Sequence, residues 1–126
     1  MTFEDLMGFE NKIQVERFLI EHNYERFDYD NEENIKYGYD LDNWDGEYVM
    51  NKGASIGIKN DSQPLNVDFM FVVEEDYNRI YDVAKKELEF LNVVENTAIY
   101  YEENTMVGFR IQESNYYITL ITFKGE

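Results

Sequence analysis

The segment EEDYNRIYDVAKKELEFL (residues 74–91) carries the clearest secondary-structure signal in the chain. Acids open the segment, where the helix dipole favours negative charge, and Glu75 and Arg79 have the i,i+4 spacing of a helical ion pair. Its apolar residues recur every three or four positions, as on one face of a helix: they are Tyr77, Ile80, Tyr81, Ala84, Leu88 and Leu91. The segment therefore predicts an amphipathic helix that packs on a sheet.

Three strands are predicted after this helix, at about residues 97–102, 105–112 and 116–123. Short polar turns separate them, so we expect an antiparallel meander. The last of these strands is apolar on both faces. It is therefore either a central strand of the sheet or an edge strand that a partner covers.

One more helix and several strands are predicted before residue 74. Asn11 and Gln14 have the spacing of a helix N-cap, and apolar residues follow at helical intervals, which predicts a helix over about residues 10–22. Alternating aromatic and β-branched residues then predict strands, the clearest at 47–51, 54–59 and 65–73. The predicted fold is α+β: a single domain over residues 1–126, with two helices packed on an antiparallel sheet in the order α-βββ(β)-α-βββ.

The net charge of the chain excludes several partners. Its 126 residues include 11 Lys and Arg against 27 Asp and Glu, which gives a formal charge of −16. Nucleic-acid binding relies on basic side chains that displace counterions from phosphates, so direct binding to DNA or RNA is disfavoured. An anionic membrane surface is disfavoured for the same reason, and the chain has no apolar run of the length that spans a bilayer.

Two features predict a cytoplasmic location. The N-terminal sequence MTFEDLM (residues 1–7) has acids where a signal peptide has positive charge. The chain also has no cysteine, which excludes disulfides, thiolate nucleophiles and cysteine-based zinc sites and suits a reducing compartment.

Motifs of catalysis and metal binding are not found in the sequence. His22 is the single histidine, no serine lies in a nucleophile-elbow sequence, and residues 53–57 lack the lysine and spacing of a phosphate loop. Residues 40–47 are rich in possible calcium ligands but lack glycine at the position that an EF-hand requires, so a nonstandard weak Ca²⁺ site remains only as an alternative. We therefore expect no enzyme activity, no cofactor and no resident metal.

Acidic and aromatic residues are most densely interleaved between Glu25 and Glu47. Trp and Tyr are frequent energetic anchors of protein interfaces, and a ring of carboxylates accelerates encounter with a basic partner. In this interpretation Trp44 and Tyr48 fill pockets of the partner, and the carboxylates pair with its Lys or Arg side chains. The predicted partner-binding residues are Glu32, Glu33, Tyr37, Tyr39, Asp40, Asp42, Trp44, Asp45, Glu47 and Tyr48.

A cysteine-free acidic α+β domain with a segment such as DLDNWDGEY (residues 40–48) resembles bacterial toxin-immunity proteins and phage-encoded inhibitors of DNA-targeting defence enzymes. The resemblance implies an inhibitor that captures a basic toxin, nuclease or other nucleic-acid enzyme and blocks its active or nucleic-acid-binding surface. Two alternatives remain. One is a non-catalytic structural or adaptor module, self-association included, whose acids only keep it in solution. The other is an enzyme or small-ligand binder with a pocket that the sequence does not reveal.

Overall fold

The computed structural model describes residues 1–40, 53–60, 64–103, 106–112 and 115–122. Over these residues the chain forms three helices and eight strands, and every one of these strands belongs to a single antiparallel sheet. The helices are α1 (Phe3–Met7), α2 (Lys12–Glu21) and α3 (Glu74–Glu87). The strands are β1 (Tyr24–Phe27), β2 (Asn34–Tyr39), β3 (Ala54–Lys59), β4 (Leu65–Phe71), β5 (Glu89–Val94), β6 (Thr97–Glu102), β7 (Val107–Gln112) and β8 (Tyr117–Thr122).

The predicted architecture, with two helices in the order α-βββ(β)-α-βββ, is wrong. A third helix, α1, begins at a capping box in which the Thr2 hydroxyl accepts from the Asp5 N–H and the Asp5 carboxylate accepts from the Thr2 N–H. An unpredicted strand, β5, follows α3, because the helix ends at Glu87 and residues 89–94 form a strand that pairs with β6 instead of continuing the helical stripe. Four strands therefore follow α3.

Most of the other predicted elements are confirmed with small shifts at their ends. The predicted helix at 10–22 corresponds to α2, whose Asn11 side chain accepts from the Gln14 N–H at 2.9 Å. The predicted strands at 54–59, 65–73, 97–102, 105–112 and 116–123 correspond to β3, β4, β6, β7 and β8. The predicted strand at 47–51 lies outside the described residues.

The sheet consists of two four-stranded meanders joined side by side. Its strand order is β1-β2-β3-β4-β8-β7-β6-β5, so β4 and β8 form the seam, with Leu65 opposite Thr122 and Met70 opposite Tyr117. In each meander a helix precedes four consecutive strands. The last strand, β8, which is apolar on both faces, therefore lies in the centre of the sheet. This is the first of the two alternatives that the sequence left open.

The hydrophobic core lies between the helices and one face of the sheet. A row of side chains crosses this face in register from β2 to β6: Tyr37, Ile56, Phe69, Ile118, Ile111 and Ala98. Contacts from the three helices reach the same face, through Phe3 on Phe109, Glu16 on the Tyr37 hydroxyl, and Tyr81 on Tyr100. Each fully buried Phe, Ile or Leu contributes about 1.5–3 kcal/mol to folding.

The opposite face of the sheet carries a polar network across the seam. The Thr119 hydroxyl donates to Asp68 Oδ1 at 2.9 Å, and the two residues face each other in the β4–β8 register. Burial and the neighbouring Asp68 carboxylate raise the pKa of Tyr117 to about 12. These contacts fix the register at the centre of the sheet from the side that the helices leave open.

Candidate functional site

The turn between β1 and β2 presents the densest group of exposed acids in the described part of the chain. We define the β1–β2 ridge as the exposed residues Glu25, Asp28, Tyr29, Asp30, Glu32 and Glu33. It lies at one edge of the sheet, since β1 is an edge strand and pairs only with β2 among the described strands. Five carboxylates within nine residues make this edge strongly negative.

Local hydrogen bonds fix the backbone of the ridge. Asp28 adopts a left-handed conformation with φ of 55°, and its carbonyl accepts from the Asn31 N–H at 3.0 Å. The Asn31 side chain then accepts from the N–H groups of Glu33 and Asn34, each at 3.0 Å. Asp and Asn are suited to these positions because their short side chains tolerate left-handed backbone and bond to nearby N–H groups.

A second set of contacts ties the ridge to the rest of the fold. The Asn60 N–H donates to the Glu33 carbonyl at 2.8 Å, and the Asn60 amide donates to the Glu32 carbonyl at 3.4 Å. The Lys12 ammonium at the start of α2 donates to the Asn60 side chain at 3.3 Å. The ridge backbone is therefore held by β3 and α2, and its carboxylates are presented without ordering a free loop first.

Tyr29 is an exposed aromatic side chain in the middle of these carboxylates, with 70% of its surface accessible. Its ring contacts the Arg26 guanidinium, whose central carbon lies 5.0 Å from the ring centroid. This pair shows that the ring face accepts a cation in this environment, and such contacts contribute about 0.5–1 kcal/mol at exposed sites. An incoming Lys or Arg side chain would meet this ring beside two exposed acids that flank it in sequence, Asp28 and Asp30.

The structure places the predicted partner-binding residues in three different environments. Glu32 and Glu33 are exposed on the ridge, whereas Tyr37 is 3% exposed in the core. The Tyr37 hydroxyl donates to Glu16 at 2.9 Å, and burial together with this bond raises its pKa to about 12. Tyr37 therefore offers no accessible ring to a partner.

Tyr39 and Asp40 lie at the other end of β2, roughly 20 Å from Glu32 and Glu33 at the usual rise of a strand. Both are half-buried: the Tyr39 ring packs edge-on against Tyr24, and the Asp40 N–H donates to the Asn23 carbonyl at 2.8 Å. The described part of the predicted surface is thus divided between the two ends of one strand. The remaining predicted residues lie outside the described residues: Asp42, Trp44, Asp45, Glu47 and Tyr48.

Three acids and the exposed tyrosine of the ridge are absent from the sequence-based set: Glu25, Asp28, Asp30 and Tyr29. The signal that identifies them is the cluster of turn-forming residues in DYDN (residues 28–31), which predicts a tight turn and hence outward side chains. Trp44 makes residues 40–48 the stronger candidate from sequence alone, because Trp is a frequent interface anchor.

A cleft of about 420 Å³ lies at the opposite end of β2, where the end of α2 meets the start of α3. Aromatic side chains form much of its wall: Phe18, His22, Tyr24, Tyr39 and Phe71. Gly53, which precedes β3, closes another side. This cleft is the candidate for a small-ligand site in the described part of the chain.

His22, Arg79 and Tyr24 in the lining of this cleft make structural contacts. His22 stacks on Phe18 with ring centroids 4.0 Å apart, and its Nδ1–H donates to the Phe18 carbonyl at 2.7 Å. Arg79 donates to Asp76 at 3.1 Å and to the Met1 carbonyl at 3.0 Å. Burial raises the pKa of Tyr24 to about 12, against the lowering effect of the Ala54 N–H. Among the described residues that line the cleft, there is no Ser, Cys or Lys nucleophile beside a base.

The described residues contain neither a candidate metal site nor a candidate membrane-spanning helix. No group of three or more His, Cys, Asp or Glu side chains in them is arranged to hold a metal ion. None of their three helices has the length and hydrophobicity of a bilayer-spanning helix.

Comparison with known proteins adds no family. The sequence matches no protein-family model, and searches among curated proteins and among solved structures give no significant match.

Proposed function

We propose that the protein is a non-catalytic binding protein that captures a basic protein, such as a toxin or a nucleic-acid enzyme, and blocks its active or nucleic-acid-binding surface. One observation carries the proposal: the β1–β2 ridge holds five exposed carboxylates around the exposed Tyr29 ring on a backbone that Asn31 and Asn60 fix. An ordered array of this kind substitutes for the phosphates that a cationic groove normally binds.

The carboxylates and the aromatic ring of the ridge contribute to binding in different ways. Carboxylates such as Glu32 and Glu33 steer a basic partner and raise the association rate, which falls as salt screens them. The Tyr29 ring is the contact that holds the partner once it is bound, because aromatic anchors in desolvated positions slow dissociation. A reducing compartment such as the cytoplasm suits a chain without cysteine.

The sequence-based prediction that Trp44 and Tyr48 anchor the partner belongs to the same proposal. Trp44→Ala is expected to raise the dissociation rate of the partner while leaving the fold intact. A Trp44→Ala variant that unfolds would instead assign Trp44 to the core.

The test begins with affinity capture from source-cell lysate at low salt and again at about 0.5 M salt, where the Debye length falls below about 5 Å. A basic protein retained at both salt concentrations is then purified, and its association rate is measured against variants. We expect the double charge reversal Glu32→Lys and Glu33→Lys to lower the association rate about tenfold at low salt and to flatten its salt dependence.

The matched control is the double variant Glu87→Lys and Glu103→Lys, which makes the same total change of charge at two exposed positions outside the ridge. It is expected to change the association rate less than twofold, because its two positions lie far from the ridge. Equal effects of the ridge and control variants, or loss of every captured protein at high salt, would contradict the proposal and leave the acids with a solubilising role.

A further inference from the structure

Strand β5 is an edge strand with apolar side chains exposed on both of its faces. All six of its residues are exposed, and Phe90, Leu91, Val93 and Val94 are between 49% and 61% accessible. Phe90 and Val93 pair with Tyr100 and Ala98 on the helix-covered face, while Asn92 and Val94 pair with Ile99 and Thr97 on the other. Beyond β5 the described residues provide no further strand.

The other edge of the sheet is built differently. Strand β1 has four residues, and two of them, Glu25 and Arg26, are exposed charges. Natural proteins commonly use short length and charge to prevent an edge strand from pairing with another chain. Strand β5 is longer, and its run from Phe90 to Val94 carries no charge in a chain whose net charge is −16.

The charges at the two ends of β5 indicate what it can pair with. Glu89 begins the strand and Glu95 follows it. In a two-fold antiparallel pairing of two copies centred on Asn92, Glu89 of each copy would lie opposite Glu95 of the other, and like charges in that position repel. A second copy of this chain is therefore a poor occupant.

We propose that β5 binds an extended segment of a basic partner, in which alternate apolar residues are flanked by Lys or Arg. The outward backbone N–H and C=O groups of β5 would pair with the segment, its alternate apolar side chains would cover Phe90 and Val93 on the helix-covered face, and its basic ends would meet Glu89 and Glu95. The choice of a basic occupant rests on the function proposed above. The pairing itself involves the sheet edge opposite the ridge.

The test uses a fluorescein-labelled peptide in which valine and threonine alternate over seven positions, with two lysines at each end. We expect saturable binding by fluorescence anisotropy at 150 mM salt, a concentration at which exposed charges beyond about 8 Å are screened. We also expect slower amide hydrogen exchange in β5. A peptide with glutamates at its ends, and a lysine-flanked peptide with alternate backbone N-methylation, should each bind at least tenfold more weakly.

Two variants and a control locate the binding. Phe90→Ser and Val93→Ser should each weaken binding of the lysine-flanked peptide at least tenfold, while Ile13→Ser on α2, where Ile13 is 73% exposed, should change it less than twofold. Using two variants guards against one that does not fold. Equal binding of the N-methylated peptide, unchanged exchange in β5, or a concentration-dependent dimer in sedimentation velocity that Val93→Ser abolishes would overturn the proposal.

The two proposals fail separately. The peptide experiment does not involve Glu32 or Glu33, so peptide binding at β5 with no effect of the ridge variants on partner capture would refute the ridge and retain β5. Normal ridge behaviour with no peptide binding would do the reverse.

Discussion

Gly53→Ala is expected to destabilise the protein by about 2–5 kcal/mol. Gly53 has a φ of +83°, in the left-handed region, and an alanine there costs about 1–2 kcal/mol. Its added Cβ would lie 2.6 Å from Tyr39 Cβ and 2.7 Å from Tyr39 Cγ, whereas carbon atoms in contact are normally about 3.5–4.0 Å apart. Relieving such a clash in a packed region costs a further ~1–3 kcal/mol.

Tyr39 has little freedom to move away from this atom. Its ring packs edge-on against Tyr24 at 5.2 Å, and Tyr24 is itself 7% exposed. The same added Cβ would lie 3.2 Å from the Tyr24 hydroxyl oxygen. Both neighbours therefore resist displacement, and the upper part of the expected range is favoured.

The measurement is urea denaturation followed by far-ultraviolet circular dichroism, with Gly57→Ala as the matched control. Gly57 lies in β3, the strand that Gly53 precedes, and a Cβ there would meet no atom within 4 Å. Replacing glycine by alanine in an unstrained strand position is expected to stabilise by about 0.5–1 kcal/mol, so the two variants should move in opposite directions. A Gly53→Ala variant within 0.5 kcal/mol of the parent would refute the reasoning, since ~1–2 kcal/mol is expected from the backbone conformation alone.

Three further predictions concern the core, the seam and the response to high pH. Phe69→Ala should lower the free energy of unfolding by about 3–5 kcal/mol, whereas Met70→Ala, at a neighbouring position 46% exposed, should cost well under half as much in the same urea assay. Thr119→Val should cost about 1–3 kcal/mol because it removes the hydroxyl that donates to Asp68, and Thr119→Ser should retain most of the stability. Folding raises the pKa of Tyr24 from 10.0 to about 12. The contribution of protonated Tyr24 to the free energy of unfolding is therefore constant below pH 10 and is lost as the pH rises towards 12. Between pH 9 and pH 11 the parent should therefore lose about 1.4 kcal/mol more stability than Tyr24→Phe, and equal losses would contradict the shift.

The helical stripe of α3 shows what sequence periodicity could establish about this fold. Tyr77, Ile80 and Ala84 are buried as their spacing predicts. The same spacing includes Leu91, which is 53% exposed in β5. No Gly or Pro lies between Ala84 and Leu91 to end the pattern, so the helix end is decided by pairing of β5 with β6, a contact that local periodicity does not encode.

The candidate site shows a similar division. Acidity concentrated after Glu25 could be read from the sequence, and Glu32 and Glu33 are exposed as a charged pair usually is. Tyr37, in contrast, is predicted to be on the binding surface but is buried. The alternation of residues along a strand shows which side chains share a face, but it does not show which face the helices cover, and the Tyr37 ring lies on the covered face. The hydrogen bond between Lys12 and Asn60 that supports the ridge joins residues 48 positions apart in sequence. Local sequence patterns do not predict a contact over this distance, so only the structure reveals it.

The position of β8 has a consequence for how the chain is made and folded. As the last described strand in sequence, it is synthesised after every other described element, yet it fills the centre of the sheet. Until β8 pairs, β4 and β7 each lack their neighbour at the centre of the sheet and expose apolar residues on the helix side. To complete the sheet, β4 must pair with β8, for example Leu65 with Thr122, which are far apart in sequence. The entropic cost of closing this long loop therefore falls late in folding. The interval before closure is when this protein is most open to aggregation or to exchange of a meander between two nascent copies.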